Sequence, residues 1–109
     1  MELERYIEID KEDIPNAFEI DINDETFTLE FHYNESFDFF TVDLFKEDEP
    51  LWLGEKLILN QPLFVNCVSI EKPNAVLIPL DRADNETRIT YENLSQTVFL
   101  YVLAEGEIQ

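Results

Sequence analysis

The chain has 109 residues, of which 25 are acidic and seven are basic, for a formal net charge of −18. That length suits one domain, and a hydrophobic fraction of 45% supplies a core, so the charge is no sign of disorder. Such a charge repels phosphate backbones and anionic membranes, and neither nucleic acid nor membrane is an expected partner.

The N-terminal "MELERYIEID" is charged throughout and has no apolar h-region, so no secretion signal is expected. No apolar run approaches the ~20 residues that span a bilayer. Cys67 is the only cysteine, which rules out an intrachain disulfide and suits a reducing compartment. The whole chain, 1–109, reads as a single β-rich domain: 1–16 a short strand and linker, 17–104 the core, 105–109 a tail. Ile7 and Ile9 share the spacing of a short first strand, and Pro15 prevents a helix through "KEDIPNA".

Period two then takes over. "FEIDI" puts Phe18, Ile20 and Ile22 on one face and Glu19 and Asp21 on the other. "NDE" supplies turn residues that tolerate left-handed backbone. "TFTLEFHYN" directs Phe27, Leu29, Phe31 and Tyr33 inward and Thr28, Glu30 and His32 outward. A four-residue loop, Asn34 to Phe37, pairs Phe31 with Phe40, Leu29 with Val42 and Phe27 with Leu44. A one-residue slip would instead bury Thr41 and Asp43. Phe40, Val42 and Leu44 are therefore core. Phe39 and Phe45 share the opposite face, and Phe37 sits in the loop. Half of the chain's 14 aromatic side chains lie between residues 26 and 45, more than the hairpin core accounts for. Phe37, Phe39 and Phe45, with Trp52 beyond them, form the candidate partner interface.

"KEDEP" is a charged turn ended by Pro50. In "LWLGEKLILNQPLFVN" Gly54 marks a bend or bulge. The period there is ambiguous, admitting a buried strand or a short helix around "QPLFVN". "AVLIPLD" is a strand that Pro79 confines to an edge or a strand end. "YENLSQ" is a turn or one helical turn. "TVFLYVLAE" is apolar on both faces, as in a central strand covered on both sides. The expected fold is all-β: a small sandwich or barrel-like domain of about six to seven mainly antiparallel strands.

Catalytic and metal chemistry find little support, and the expected site has no catalytic residue, no cofactor and no metal. His32 is the single histidine and points outward beside Glu30. Cys67 has no basic neighbour in sequence and reads as a buried small hydrophobe. "DRADNE" offers Asp81, Asp84 and Glu86 without the alternate spacing and glycine of a calcium loop. The acceptor-like tripeptides at Asn34, Asn85 and Asn93 read as turn residues. The carboxylates are spread evenly, which suits solubility and protection of strand edges. Their other reading is an acidic DNA mimic or anti-defence protein that binds a basic partner.

The order of segments resembles a family, the small bacteriophage proteins typified by the cyanophage contractile-tail baseplate plug. The resemblance runs over about residues 6 to 103. Tyr33 and Asn34 match the turn; Phe40, Val42, Asp43 and Leu44 match an aromatic–x–aliphatic–Asp–aliphatic strand; Leu94, Val98, Leu100, Tyr101 and Val102 match the ending. The chain departs from the family at its turns, where "NDE" and "EDEP" stand in place of glycines. Gly54 keeps its glycine, and Gln61 replaces another. The resemblance implies a non-enzymatic structural component of a phage or prophage tail that helps close the tube at the baseplate hub. Its implied partners are hub or tube proteins, with possible self-association. Its implied place is the virion, after assembly in the host cytoplasm.

Overall fold

The computed structural model describes residues 5–104. The tail expected at 105–109 lies outside the described residues. Seven strands occur among the described residues: β1 (Arg5–Ile7), β2 (Asn16–Ile22), β3 (Glu25–Asn34), β4 (Phe39–Lys46), β5 (Glu49–Lys56), β6 (Ala75–Leu80) and β7 (Phe99–Ala104). They form two antiparallel sheets, ordered β2-β3-β4-β5 and β1-β7-β6. The all-β expectation holds.

Alternation builds the larger sheet. Phe27, Leu29 and Phe31 of β3 and Phe40, Val42 and Leu44 of β4 are at most 1% exposed. They pack in one cluster with Ile7, Leu77, Leu100 and Val102 of the other sheet, so the core lies between the two sheets. The β2–β3 and β4–β5 hairpins close through two-residue turns without glycine. Asn23 and Asp24 take φ of 52° and 68°, and Glu47 and Asp48 take 51° and 67°. Positive φ at both central residues gives the turn the strands' own twist. One asparagine and three acidic side chains thus occupy backbone that glycine adopts without strain. Pro50 does not end this turn but is already the second residue of β5. It is tolerated there because β5 is an edge strand.

The β3–β4 pairing differs from the expected register by two residues. Leu29 faces Leu44, Phe31 faces Val42 and Tyr33 faces Phe40. The inward set is unchanged, because a shift of two preserves the face. The loop again has four residues, now Glu35–Asp38, since Asn34 stays in the ladder opposite Phe39. Local bonds decide this placement. Asp38 sits at φ 58° and donates its N–H to the Asn34 carbonyl at 2.8 Å. Asn34 Oδ1 accepts the Phe37 N–H at 3.0 Å.

In β5 the ladder slips opposite Asp43, between the Val42 and Leu44 pairings. Gly54 lies in this bulge at φ 76°, as the sequence led us to expect. From 57 to 74 the chain is neither strand nor helix: the strand reading of this stretch holds only as far as Lys56, and no helix forms around "QPLFVN". Some of its amides bond within the segment, and three reach acceptors on neighbouring strands. Leu57 donates to Phe40 at 3.0 Å, Asn60 to Pro79 at 2.9 Å and Leu63 to Leu77 at 2.8 Å. Leu57, Leu63, Phe64 and Cys67 drop into the core.

β7 is the central strand of the smaller sheet, and β6, with Pro79, is at its edge. Val98, Leu100 and Val102 face the core. The other face of β7 is sheltered by side chains rather than by a further sheet. The Arg82 guanidinium lies 4.6 Å from the Tyr101 ring centre, and Tyr6 stands 4.6 Å from Phe99 and 5.9 Å from Tyr101.

Candidate functional site

The larger sheet has its core on one side only, so its other face is open. That face carries Glu30 and His32 from β3 and Phe39, Thr41, Asp43 and Phe45 from β4, all half-buried. Of the four candidate interface residues, Phe39 and Phe45 are on this face, with Thr41 and Asp43 between them. The Lys56 ammonium lies 4.6 Å from the Phe39 ring centre, and Phe45 pairs with Thr28 on one side and Pro50 on the other. Phe37 is 74% exposed in the β3–β4 loop. Trp52 lies elsewhere: it pairs with Leu44 and packs its ring against the core. Its Nε1–H donates to Glu55 Oε1 at 2.6 Å. The structure therefore brings Phe39 and Phe45 to one face, sets Phe37 beside it and turns Trp52 inward.

Between the two phenylalanines is a charged cluster. The true register sets Glu30 directly opposite Asp43 and His32 opposite Thr41. His32 Nε2 is 3.2 Å from Asp43 Oδ2 and 3.8 Å from Glu30 Oε1. The other Asp43 oxygen accepts the Gly54 N–H at 2.7 Å, so the bulge in β5 aims this carboxylate.

Other carboxylates hold loops in place. Asp38 Oδ1 accepts the Tyr33 hydroxyl at 2.7 Å and the Tyr91 N–H at 2.9 Å. The Arg88 guanidinium donates to the Asp38 carbonyl at 2.6 Å. Bonding to Asp38, reinforced by desolvation, pushes the Tyr33 phenol up to about 12, and the same bond lowers the Asp38 carboxyl. This ties the β3–β4 loop to the segment entering β7. Glu55 Oε2 accepts the Phe64 N–H at 3.1 Å. That bond steadies a phenylalanine held at φ 63°.

Asp81, weighed above for calcium, is a cap. Its carboxylate accepts the N–H groups of Ala83, Asn85 and Glu86 at 3.1, 2.7 and 2.9 Å. These backbone donors, Asn85 first, lower its pKa. Glu86 gives its two oxygens to Asn93 Nδ2 at 3.0 Å and Thr97 Oγ1 at 2.7 Å. Asn93 is 8% exposed, and its Oδ1 accepts the Thr90 N–H at 2.8 Å. Asn34 and Asn93 thus serve turns, in keeping with their sequence reading.

Sequence reasoning missed one further apolar surface. Val65, Val68 and Ile70 are 61%, 94% and 99% exposed on the irregular 57–74 segment. Without a period in that stretch, the only available signal was a run of apolar residues with no assigned face.

No curated protein matches the chain. A family model matches residues 5–105, nearly the full length. The chain belongs to the family of the cyanophage baseplate Pam3 plug gp18, whose role is structural, in the tail of the virion, among other baseplate and tail proteins.

Proposed function

We propose that this protein is a non-enzymatic plug that helps close the tail tube at the baseplate hub until ejection. The observation that carries the reading is the family match over residues 5–105. The chain acts as one domain, assembles in the host cytoplasm and binds hub or tube proteins. The contact surface is the open face of the larger sheet around Phe39 and Phe45, flanked by the exposed Phe37, with the Trp52 strand at its border. Support comes from the arrangement of Phe39 and Phe45: among the described residues no second sheet packs on them, and paired strands present them.

The test is a Phe39→Ser/Phe45→Ser double variant produced in the infected host. It should fold and stay soluble, because half-buried positions away from the core move stability little, about 0.5 kcal/mol or less at the exposed extreme. It should then be missing from purified tails, and those tails should leak their contents. A double variant that enters tails at the normal level overturns the assigned surface. Tails that stay closed without any plug overturn the assigned role. Tight, stoichiometric inhibition of a DNA-binding protein at physiological salt, where screening acts within ~8 Å, would replace this reading with charge mimicry.

A further inference from the structure

Glu30 and Asp43 stand directly opposite each other across the β3–β4 ladder. Like charges in that position work against pairing, and both sit in a chain of net charge −18. A cation between them removes the conflict. The third group facing the gap is an imidazole nitrogen, a ligand that favours transition ions over calcium or magnesium. We propose that Glu30, His32 and Asp43 form a surface site for one divalent transition ion of the zinc type.

The distances suit such an ion. The three donor atoms all lie within 4.8 Å of one another. Bonds of 2.0–2.1 Å in a tetrahedron place ligand atoms about 3.3 Å apart. His32 Nε2 and Asp43 Oδ2 are 3.2 Å apart already. Glu30 Oε1, at 3.8 Å from Nε2, closes the remainder by rotation of the longest and most flexible of the three side chains. Metal ligands are usually oriented by an outer hydrogen bond. The Gly54 N–H supplies one, holding Asp43 Oδ1 at 2.7 Å and leaving Oδ2 turned to the gap. Paired strands fix the backbone of all three ligands. The fourth position opens to solvent on the same face as Phe39 and Phe45. The three ligands lie outside the core cluster, so the fold does not depend on the ion.

The experiment titrates Zn2+ into the purified full chain by calorimetry in 150 mM salt with excess Mg2+, which occupies diffuse carboxylate sites. Its companions are His32→Gln, Asp43→Asn and a control, Glu19→Gln, which removes a surface charge without touching the cluster. Wild type and the control should each bind one Zn2+ per chain and melt at a higher temperature with Zn2+ present. His32→Gln and Asp43→Asn should fold alike and lose about tenfold or more in affinity, at least the loss typical of an outer-shell change. Co2+ should give the visible absorption of a four-coordinate site in wild type and the control, and not in His32→Gln or Asp43→Asn. Affinity unchanged in His32→Gln, or no saturation at one ion per chain, overturns the site. His32 would then serve only as the ion-pair partner of the two carboxylates. Loss of zinc binding would leave the plug reading standing, since that reading rests on the tail assay.

Discussion

The β2–β5 meander and the 57–74 segment are neighbours in the chain and opposites in construction. In the meander the inner strands β3 and β4 are laddered on both sides, and side chains alternate between core and open face. In the segment, amides bond singly to scattered acceptors, and apolar side chains fall without order into the core or into solvent. The comparison teaches that apolar residues stabilise through position rather than type. Phe40 is 0% exposed and Ile70 is 99% exposed. Phe40→Ala should therefore cost about 3–5 kcal/mol, the usual range for emptying a buried aromatic site. Ile70→Ser should stay within ~0.5 kcal/mol. Urea melts of both variants measure this. Equal costs would mean that Ile70 is covered in solution and that the two regions share one logic.

The next effect concerns what holds the irregular segment. Its main charged anchor is Glu55, whose two oxygens serve the Phe64 amide and the Trp52 indole. Glu55→Ala should destabilise by about 1–2 kcal/mol, since bonds to charged groups contribute about 1.5–3 kcal/mol and partial exposure reduces that. Trp52 is the only tryptophan, so its emission should shift to the red as the indole loses its acceptor. Amide exchange should quicken in 57–74 and stay slow in β3 and β4. Uniform quickening would show that the segment and the meander open as one unit.

The same contrast explains what the sequence revealed. Strands β2, β3 and β4, their inward faces and the turn residues Asn23 and Asp24 were legible because period two and left-handed tolerance are local properties. β7 was legible as a central strand because both of its faces are apolar. The β3–β4 pairing was two residues out because it depends on the bond from Tyr33 to Asp38 and the left-handed Asp38, neither of which leaves a mark on alternation. That small error had a large consequence for the candidate site. In the expected register Glu30 faces Thr41; in the true one it faces Asp43. The Glu30–His32–Asp43 cluster was hidden by the register alone, though all three residues were already read as outward. The side to which Trp52 turns was equally illegible, since the bulge at Gly54 sets which way β5 faces. Segment 57–74 could not be read at all, because its shape is fixed by distant carbonyls and by Glu55.

A smaller effect tests the acidic turns of the meander. Asp48 holds φ 67° with a side chain that this region disfavours. Asp48→Gly should stabilise by about 0.5–1 kcal/mol, the strain relieved less the added freedom of the unfolded chain. Gly54→Ala is its mirror image. An added Cβ at Gly54 meets no atom within 4 Å, so only its φ of 76° opposes the change. A loss of about 1 kcal/mol is expected. If Asp48→Gly destabilises instead, the carboxylate has a bonding role that outweighs its strain.

The last effect is confined to acid and separates a capped loop from an uncapped one. Backbone N–H groups lower the Asp81 pKa in the folded chain, whereas in the unfolded chain it titrates near the ordinary ~3.9. Its stabilising contribution is therefore complete above about pH 4 and is lost as pH falls through the lower folded value. Asp38, lowered chiefly by the Tyr33 hydroxyl, contributes in the same direction. Asp13 works the other way: repulsion from Asp10 raises its pKa, so protonation relieves the folded state. Denaturation midpoints of wild type and Asp81→Asn, followed from pH 7 down to pH 2, isolate the Asp81 share. The variant should be the weaker at neutral pH, because an amide oxygen accepts the three N–H groups less strongly than a carboxylate. The gap should narrow below about pH 4 as wild type gains its proton. A gap that stays constant across the acid range would mean that the loop is held by its backbone shape and that the Asp81 charge adds nothing.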